Sequence, residues 1–134
     1  FPLWLSLLVF ASTSALMLTC LTVVCFLGPI YGYGSMFAEG NLFLHLITPL
    51  LVLITYSLVE RNPQYSWKYA FIGVAPTIAY GLMYVICVFA IKIWPDFYFF
   101  NMNGLWYIIL PGMVIASTII SFGVYFIRRI KITK

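Results

Sequence analysis

Four apolar runs dominate this chain, at Leu3 to Leu27, Leu42 to Val59, Tyr69 to Ile93 and Leu105 to Ile127. Each is near the roughly 20 residues that a helix needs to cross a bilayer. The runs leave only short connections among 134 residues, which allows one domain and no separate soluble unit. Hydrophobic residues make up 64% of the chain and charged residues 7%, against roughly 25% charged in a soluble domain. A water-soluble core of this size cannot hide that much apolar surface, so the solvent is lipid. The sequence thus predicts an all-α, polytopic transmembrane helix bundle of four spans, with residues 1–134 as a single transmembrane domain. The second run is the shortest and extends through Gly40 and Asn41 or through Glu60. Phe1 begins the chain already inside an apolar segment, with no Met and no basic flank. That start reads as a fragment or a processed chain. The length of the first run and its lack of a positive start argue against the expectation of a cleaved signal peptide.

Charge placement orients the bundle. Arg61 and Lys68 lie between the second and third runs, and Arg128, Arg129, Lys131 and Lys134 follow the fourth, so six of the seven basic residues share one side. The positive-inside rule makes that side cytoplasmic, together with both ends of the chain. The opposite connections carry only Glu39, Lys92 and Asp96. The net charge of +4 is then a matter of topology and anionic headgroups. Membrane lipids are the implied partner and nucleic acid is not, because the basic residues hug the span ends.

Cys20, Cys25 and Cys87 all fall inside apolar runs, where thiols behave as small hydrophobes. With one histidine, three carboxylates and no CxxC pair, neither a metal site nor any other cofactor is signalled. Glycines and Pro29 in the stretch 28–41 predict a break in the first helix and an ordered loop with interfacial aromatics. The segment 60–66 reads as a polar turn followed by Trp67, an interface anchor. The aromatic segment Trp94 to Gly104 is expected to cover part of the outer mouth of the bundle. No internal repeat is visible.

Polar side chains inside a membrane are costly and rare enough to become functional candidates by default. His45 heads them, on a helical stripe with Asn41, Thr48 and Thr55. Two readings of it stand: a structural histidine hydrogen-bonded to a backbone carbonyl, or a base or ligand group. Pro49 lacks an N–H, so in an α-helix it frees the carbonyl of residue 45 and bends the helix beside the imidazole. Pro76 does the same for Ile72. The third run carries Thr77, Tyr80, Gly81 and Tyr84 on one face. Tyr84 at the depth of His45 is placed to donate to a bound carbonyl or to the histidine, or else to pack with its hydroxyl on a backbone acceptor. Thr19 and Thr22 are the hydroxyls of the first run nearest the outer side, and most such hydroxyls bond back to their own helix. Asp96, Asn101 and Asn103 complete the outer polar set. Asp96 is either a solvated loop carboxylate or the group that orients His45 as the third member of a triad does.

The stretch Asn41-Leu-Phe-Leu-His45-Leu-Ile-Thr48-Pro49, then Trp67, the Pro76-x-x-x-Tyr80-x-x-x-Tyr84 helix and the loop Trp94 to Asn101 together resemble the androgen-induced integral membrane protein family. The likeness is nearest to its small bacterial members and covers about Ser14 to Gly104. It implies a six-helix protein of a bacterial plasma membrane, of which this chain holds the last four helices. Animal members hydrolyse fatty-acid esters within the membrane, using a threonine and a histidine. The resemblance assigns the histidine to His45. It places the threonine on an earlier helix, upstream of this chain, so no nucleophile is assigned here. Asn101 stands where the bacterial pattern leads one to expect an acidic residue. Asn41, Thr48, Tyr84, Asp96 and Asn101 are the supporting candidates. Two other classes remain: a non-enzymatic subunit that binds lipid or a partner membrane protein, and a small transporter or channel. The latter needs a continuous polar path, for which the inner parts of the third and fourth runs offer only Ser117, Thr118 and Ser121.

Overall fold

The computed structural model of the chain describes residues 2–59 and 66–132. The polar turn with Glu60 and Arg61, and Lys134, lie outside the described residues. Every regular element among them is helical: α1 (Leu3–Tyr31), α2 (Phe43–Val59), α3 (Trp67–Ala90) and α4 (Trp106–Ile132), with helical turns at Tyr33–Met36 and Met102–Gly104. Three of these, α1, α3 and the Trp106–Ile127 part of α4, are long and apolar enough to cross a membrane. They mark the chain as a membrane protein. α2 is apolar but shorter.

Helices α1, α3 and α4 pack closely at one end, and the packed side chains there are small or hydroxylated. Ser6, Thr13, Ser14, Ser117 and Ser121 are fully buried, beside Phe10, Ala70 and Val74. By contrast Trp4, Leu8, Leu51, Leu82, Ile115 and Ile119 are largely exposed. This inverts a soluble core, and the physics of a lipid solvent explains it. Leu gains nothing by leaving lipid for protein, so helices associate through close backbone approach and hydrogen bonds. Gly73 is the point of closest approach: a Cβ built on it would lie 2.1 Å from Ser121 Oγ and 2.8 Å from Ser14 Oγ. Ser121 Oγ donates to the Ala70 carbonyl across the same contact. Thr77 Oγ1 and Ser117 Oγ share a hydrogen bond of 2.8 Å one step higher. α2 joins this end through Tyr56, whose ring lies 6.1 Å from that of Phe10.

At the opposite end three helices loosen into π turns, at Val23–Leu27, Phe43–Ile47 and Val85–Ala90. Two of them end two residues before a proline, and the ladder shows why. In α1 the Gly28 N–H reaches back to Val23, and Pro29, the next donor due, has none. The Val24 carbonyl would be orphaned, but the Tyr33 hydroxyl folds back and donates to it at 2.8 Å. The ring then occupies the space of a Gly28 side chain, 2.2 Å from where a Cβ would sit. The expected helix break at Gly28-Pro29 is therefore corrected: α1 runs through to Tyr31 and ends at Gly32, whose φ of +87° suits glycine. The same logic shifts the effect of Pro49. The Thr48 N–H bonds the Phe43 carbonyl, so the donor missing at Pro49 is the one due to Leu44 in a π ladder, not the one due to His45. At Pro76 the Ile72 carbonyl is recaptured by the Ala75 N–H, because the preceding stretch Trp67–Val74 tightens to a 3₁₀ helix.

Replacement Gly73→Ala is expected to destabilise the chain by about 1–3 kcal/mol through overpacking against Ser121 and Ser14. Gly123, around which a Cβ meets nothing within 4 Å, provides the control. Thermal unfolding in detergent should show a lower midpoint for Gly73→Ala and no loss for Gly123→Ala.

Candidate functional site

Because α1, α3 and α4 are drawn together at one end and loosened at the other, a cavity of about 950 Å³ opens near the π turns. That is at the upper end of the roughly 300–1,000 Å³ typical of small-molecule sites. α1 contributes Leu18, Thr19, Thr22 and Val23, α3 contributes Thr77, Tyr80, Gly81 and Tyr84, and α4 contributes Leu110, Met113 and Val114. His45 and Met36 line it from α2 and the preceding loop. Among the described lining residues there is no Lys, Arg, Asp or Glu. Whatever is held there is uncharged over the part that is enclosed, since an unpaired charge in an apolar wall is costly.

His45 is half-buried, and its Nδ1 lies 3.1 Å from the carbonyl of Met36. A carbonyl can only accept, so Nδ1 carries the proton and Nε2 of the neutral ring keeps its lone pair. A backbone oxygen thus fixes the tautomer, a task that a carboxylate performs in catalytic triads. One of the two sequence readings had His45 bonded to a backbone carbonyl, as seen here, but could not name Met36, because a carbonyl nine residues away leaves no mark in side-chain identity. Asn41 and Thr48 are exposed and do not line the cavity. The face that α2 buries is instead set by Pro49 and Tyr56.

The loop between α3 and α4 forms a roof over the cavity, with Phe97, Tyr98 and Phe100 in its lining. Asp96 holds this roof together. Its Oδ1 accepts from the Tyr84 hydroxyl and, at 2.9 Å, from the Phe100 N–H, while Oδ2 accepts from the Asn101 N–H at 2.9 Å. Tyr80 Oη donates to Tyr98 Oη at 3.3 Å as a second tie. Rings fill the space between these bonds: Tyr84 lies 5.3 Å from Phe100 and Tyr98 lies 5.1 Å from Phe100, centre to centre. Asp96 is a half-buried loop carboxylate whose oxygens bond three donors from its own loop and α3; among the described residues it makes no hydrogen bond to His45, so the expectation that it orients the imidazole is corrected. Tyr84, fully buried, likewise donates to Asp96 and not to the histidine or to a backbone acceptor. Asn101 serves through its backbone; its carbonyl also accepts from the Gly104 and Leu105 N–H groups. Phe99, Met102 and Asn103 hold positive φ values of 55°, 36° and 59°. Such conformations persist in non-glycine residues where surrounding bonds over-determine them.

The hydroxyls near the site divide by partner. Thr19 bonds back to the Ala15 carbonyl at 3.2 Å, Thr77 shares its bond with Ser117, and Thr22 lines the cavity half-buried. Among the described residues no group of three or more His, Cys, Asp or Glu side chains is placed to hold a metal ion. The chain matches no protein-family model, no curated protein and no solved structure.

In Asp96→Ala the Phe100 and Asn101 amides lose a charged acceptor. Their hydrogen exchange is expected to rise roughly ten- to hundredfold, the factor that corresponds to about 1.5–3 kcal/mol for a bond to a charged group. Amides of α3 around Gly73 should exchange as before; mass spectrometry of fragments checks both.

Proposed function

We propose that the chain is a four-span bundle of a cell membrane that takes an uncharged lipid ester into the cavity, where His45 acts as the base in its hydrolysis. One observation carries this reading: the lone intramembrane imidazole lines a large uncharged cavity with its Nδ1 engaged by the Met36 carbonyl, which leaves Nε2 as an acceptor. The family resemblance of the sequence agrees with it. α2 completes the four spans at the lower end of the roughly 17–25 residues that suffice for crossing. With Lys68 and Arg129 at the end away from the roof, the positive-inside rule sets the roof on the outer side.

In the proposed reaction Nε2 takes the proton of an attacking hydroxyl as its oxygen bonds the ester carbon. The tetrahedral intermediate then collapses, the carbon–alkoxide bond breaks, and the imidazolium returns the proton to the departing alkoxide; water, deprotonated by the same Nε2, next attacks the new acyl ester and releases the fatty acid and the restored hydroxyl. The Met36 carbonyl stabilises the imidazolium through its bond to Nδ1–H. Exclusion of water by the roof strengthens these interactions.

A second reading is favoured by a separate observation. Among the described residues the one hydrogen bond seen for His45 is to Met36, and it is not to a hydroxyl. A non-catalytic lipid-binding subunit would use Nε2 only to accept a hydrogen bond from its ligand. Purified full-length protein in phospholipid vesicles, offered long-chain acyl esters, separates the two. Hydrolysis should fall by about 10²–10⁴-fold in His45→Ala, the usual contribution of a positioned base. Ester binding by the wild type without turnover would favour the subunit reading and remove the catalytic one.

A further inference from the structure

We infer that the ligand reaches this cavity sideways from the bilayer, through a window between α3 and α4, and so is a molecule already dissolved in the membrane. The inference rests on the proposed role of the cavity as the binding site. Its frame is built from contacts between the two helices. Below, they are tied by the Thr77–Ser117 hydrogen bond and by the edge-to-face pair Phe71–Phe122, with ring centres 5.5 Å apart. Above, they are tied by the stacked pair Phe89–Trp106 at 5.3 Å. Between these ties Ile109, Leu110 and Met113 of α4 pack against the cluster of Tyr84, Val88 and Phe100, which confines the opening to the stretch below, beside Ile78 and Leu82 of α3 and Ile115 of α4.

Between the ties, Ile78 and Leu82 of α3 and Ile115 of α4 line the cavity and are nonetheless 45%, 62% and 62% exposed. A side chain that belongs to a cavity wall and to the outer surface together forms a rim. Pro111, exposed and also in the lining, lies on the same edge. It withdraws one hydrogen bond from α4 at the height of the opening, where a helix bends most readily. The opposite route is partly covered. Phe97, Tyr98 and Phe100 lie over the cavity, and the Tyr84–Asp96 and Tyr80–Tyr98 bonds fasten them to α3.

Rim and lining together define the ligand. The rim residues are apolar and open at the depth of acyl chains, and the enclosed wall carries no charge among its described residues. A long-chain acyl ester fits both: its tail passes between Leu82 and Ile115, and its uncharged ester group lies inward toward His45. A phosphate or ammonium headgroup stays outside the frame.

The test uses the full chain in phosphatidylcholine vesicles with a diazirine-bearing fatty-acid methyl ester dissolved in the bilayer, and follows the rate of light-induced labelling of cavity peptides. Leu82→Trp with Ile115→Trp narrows the window at two exposed positions and should label about tenfold more slowly, within the span over which association rates vary among variants of one site. Leu82→Ala with Ile115→Ala should label at least as fast as wild type, and Phe97→Ala, which opens the roof, should not accelerate labelling. The window is overturned if the tryptophan pair labels at the wild-type rate, if the alanine pair labels more slowly, or if Phe97→Ala alone accelerates labelling. Failure of wild type to label cavity residues at all overturns the binding site itself, and with it the window.

Discussion

In a bilayer there is no water to accept or donate a hydrogen bond, so each polar group of the spanning backbone must be satisfied from within the chain. That constraint shapes the helices described here more than side-chain propensity does. Prolines at 29, 49 and 76 each remove a donor, and at two of them the repair is on view. The Tyr33 hydroxyl serves the Val24 carbonyl, and the Ala75 N–H serves Ile72 through a tightened 3₁₀ stretch. The π turns and the 3₁₀ turn are the local forms that these repairs take. They change the helix diameter by small amounts at fixed heights, and so decide where neighbouring helices can touch.

The same solvent sets the packing. Lipid offers no reason to bury large apolar side chains, so α1, α3 and α4 meet through Gly73, Ala70 and a set of serines and threonines at one end. Close approach there, with wider turns and aromatic spacers at the other end, leaves the cavity as the volume the bundle does not fill. The roof completes it. Asp96 gathers Tyr84, Phe100 and Asn101 into one hydrogen-bonded unit, and the strained residues Phe99 and Asn103 show how firmly that unit is held. Site and scaffold are thus two ends of one packing arrangement, with His45 placed where the tight end gives way to the open one.

Much of this was legible residue by residue. His45 stood out because an imidazole in an apolar helix is expensive, Tyr84 as a hydroxyl on the face of the third run, and Asp96 as one of the few charges of the outer loops. Their partners did not. Helical spacing suggested that Asn41, His45, Thr48 and Thr55 share one working face, yet α2 buries Pro49 and Tyr56, and Thr48 and Thr55 are exposed. The buried face of a helix between apolar neighbours is chosen by fit and not by polarity, which periodicity cannot report. Pairing Asp96 with His45 failed on similar grounds. A carboxylate takes the nearest donors, and its own loop supplies two N–H groups before any side chain of α2 is in reach.

The sequence by itself determined the all-helical class, the approximate limits of the helices and the short set of polar groups, because the length of an apolar run and the scarcity of charge are properties of composition along the chain. Tertiary structure alone decided the carbonyl that fixes the His45 tautomer, the carboxylate that locks the roof, and the unfilled volume between α1, α3 and α4. Those depend on distances between residues far apart in sequence, set by how closely small side chains let helices approach, and no local pattern encodes them.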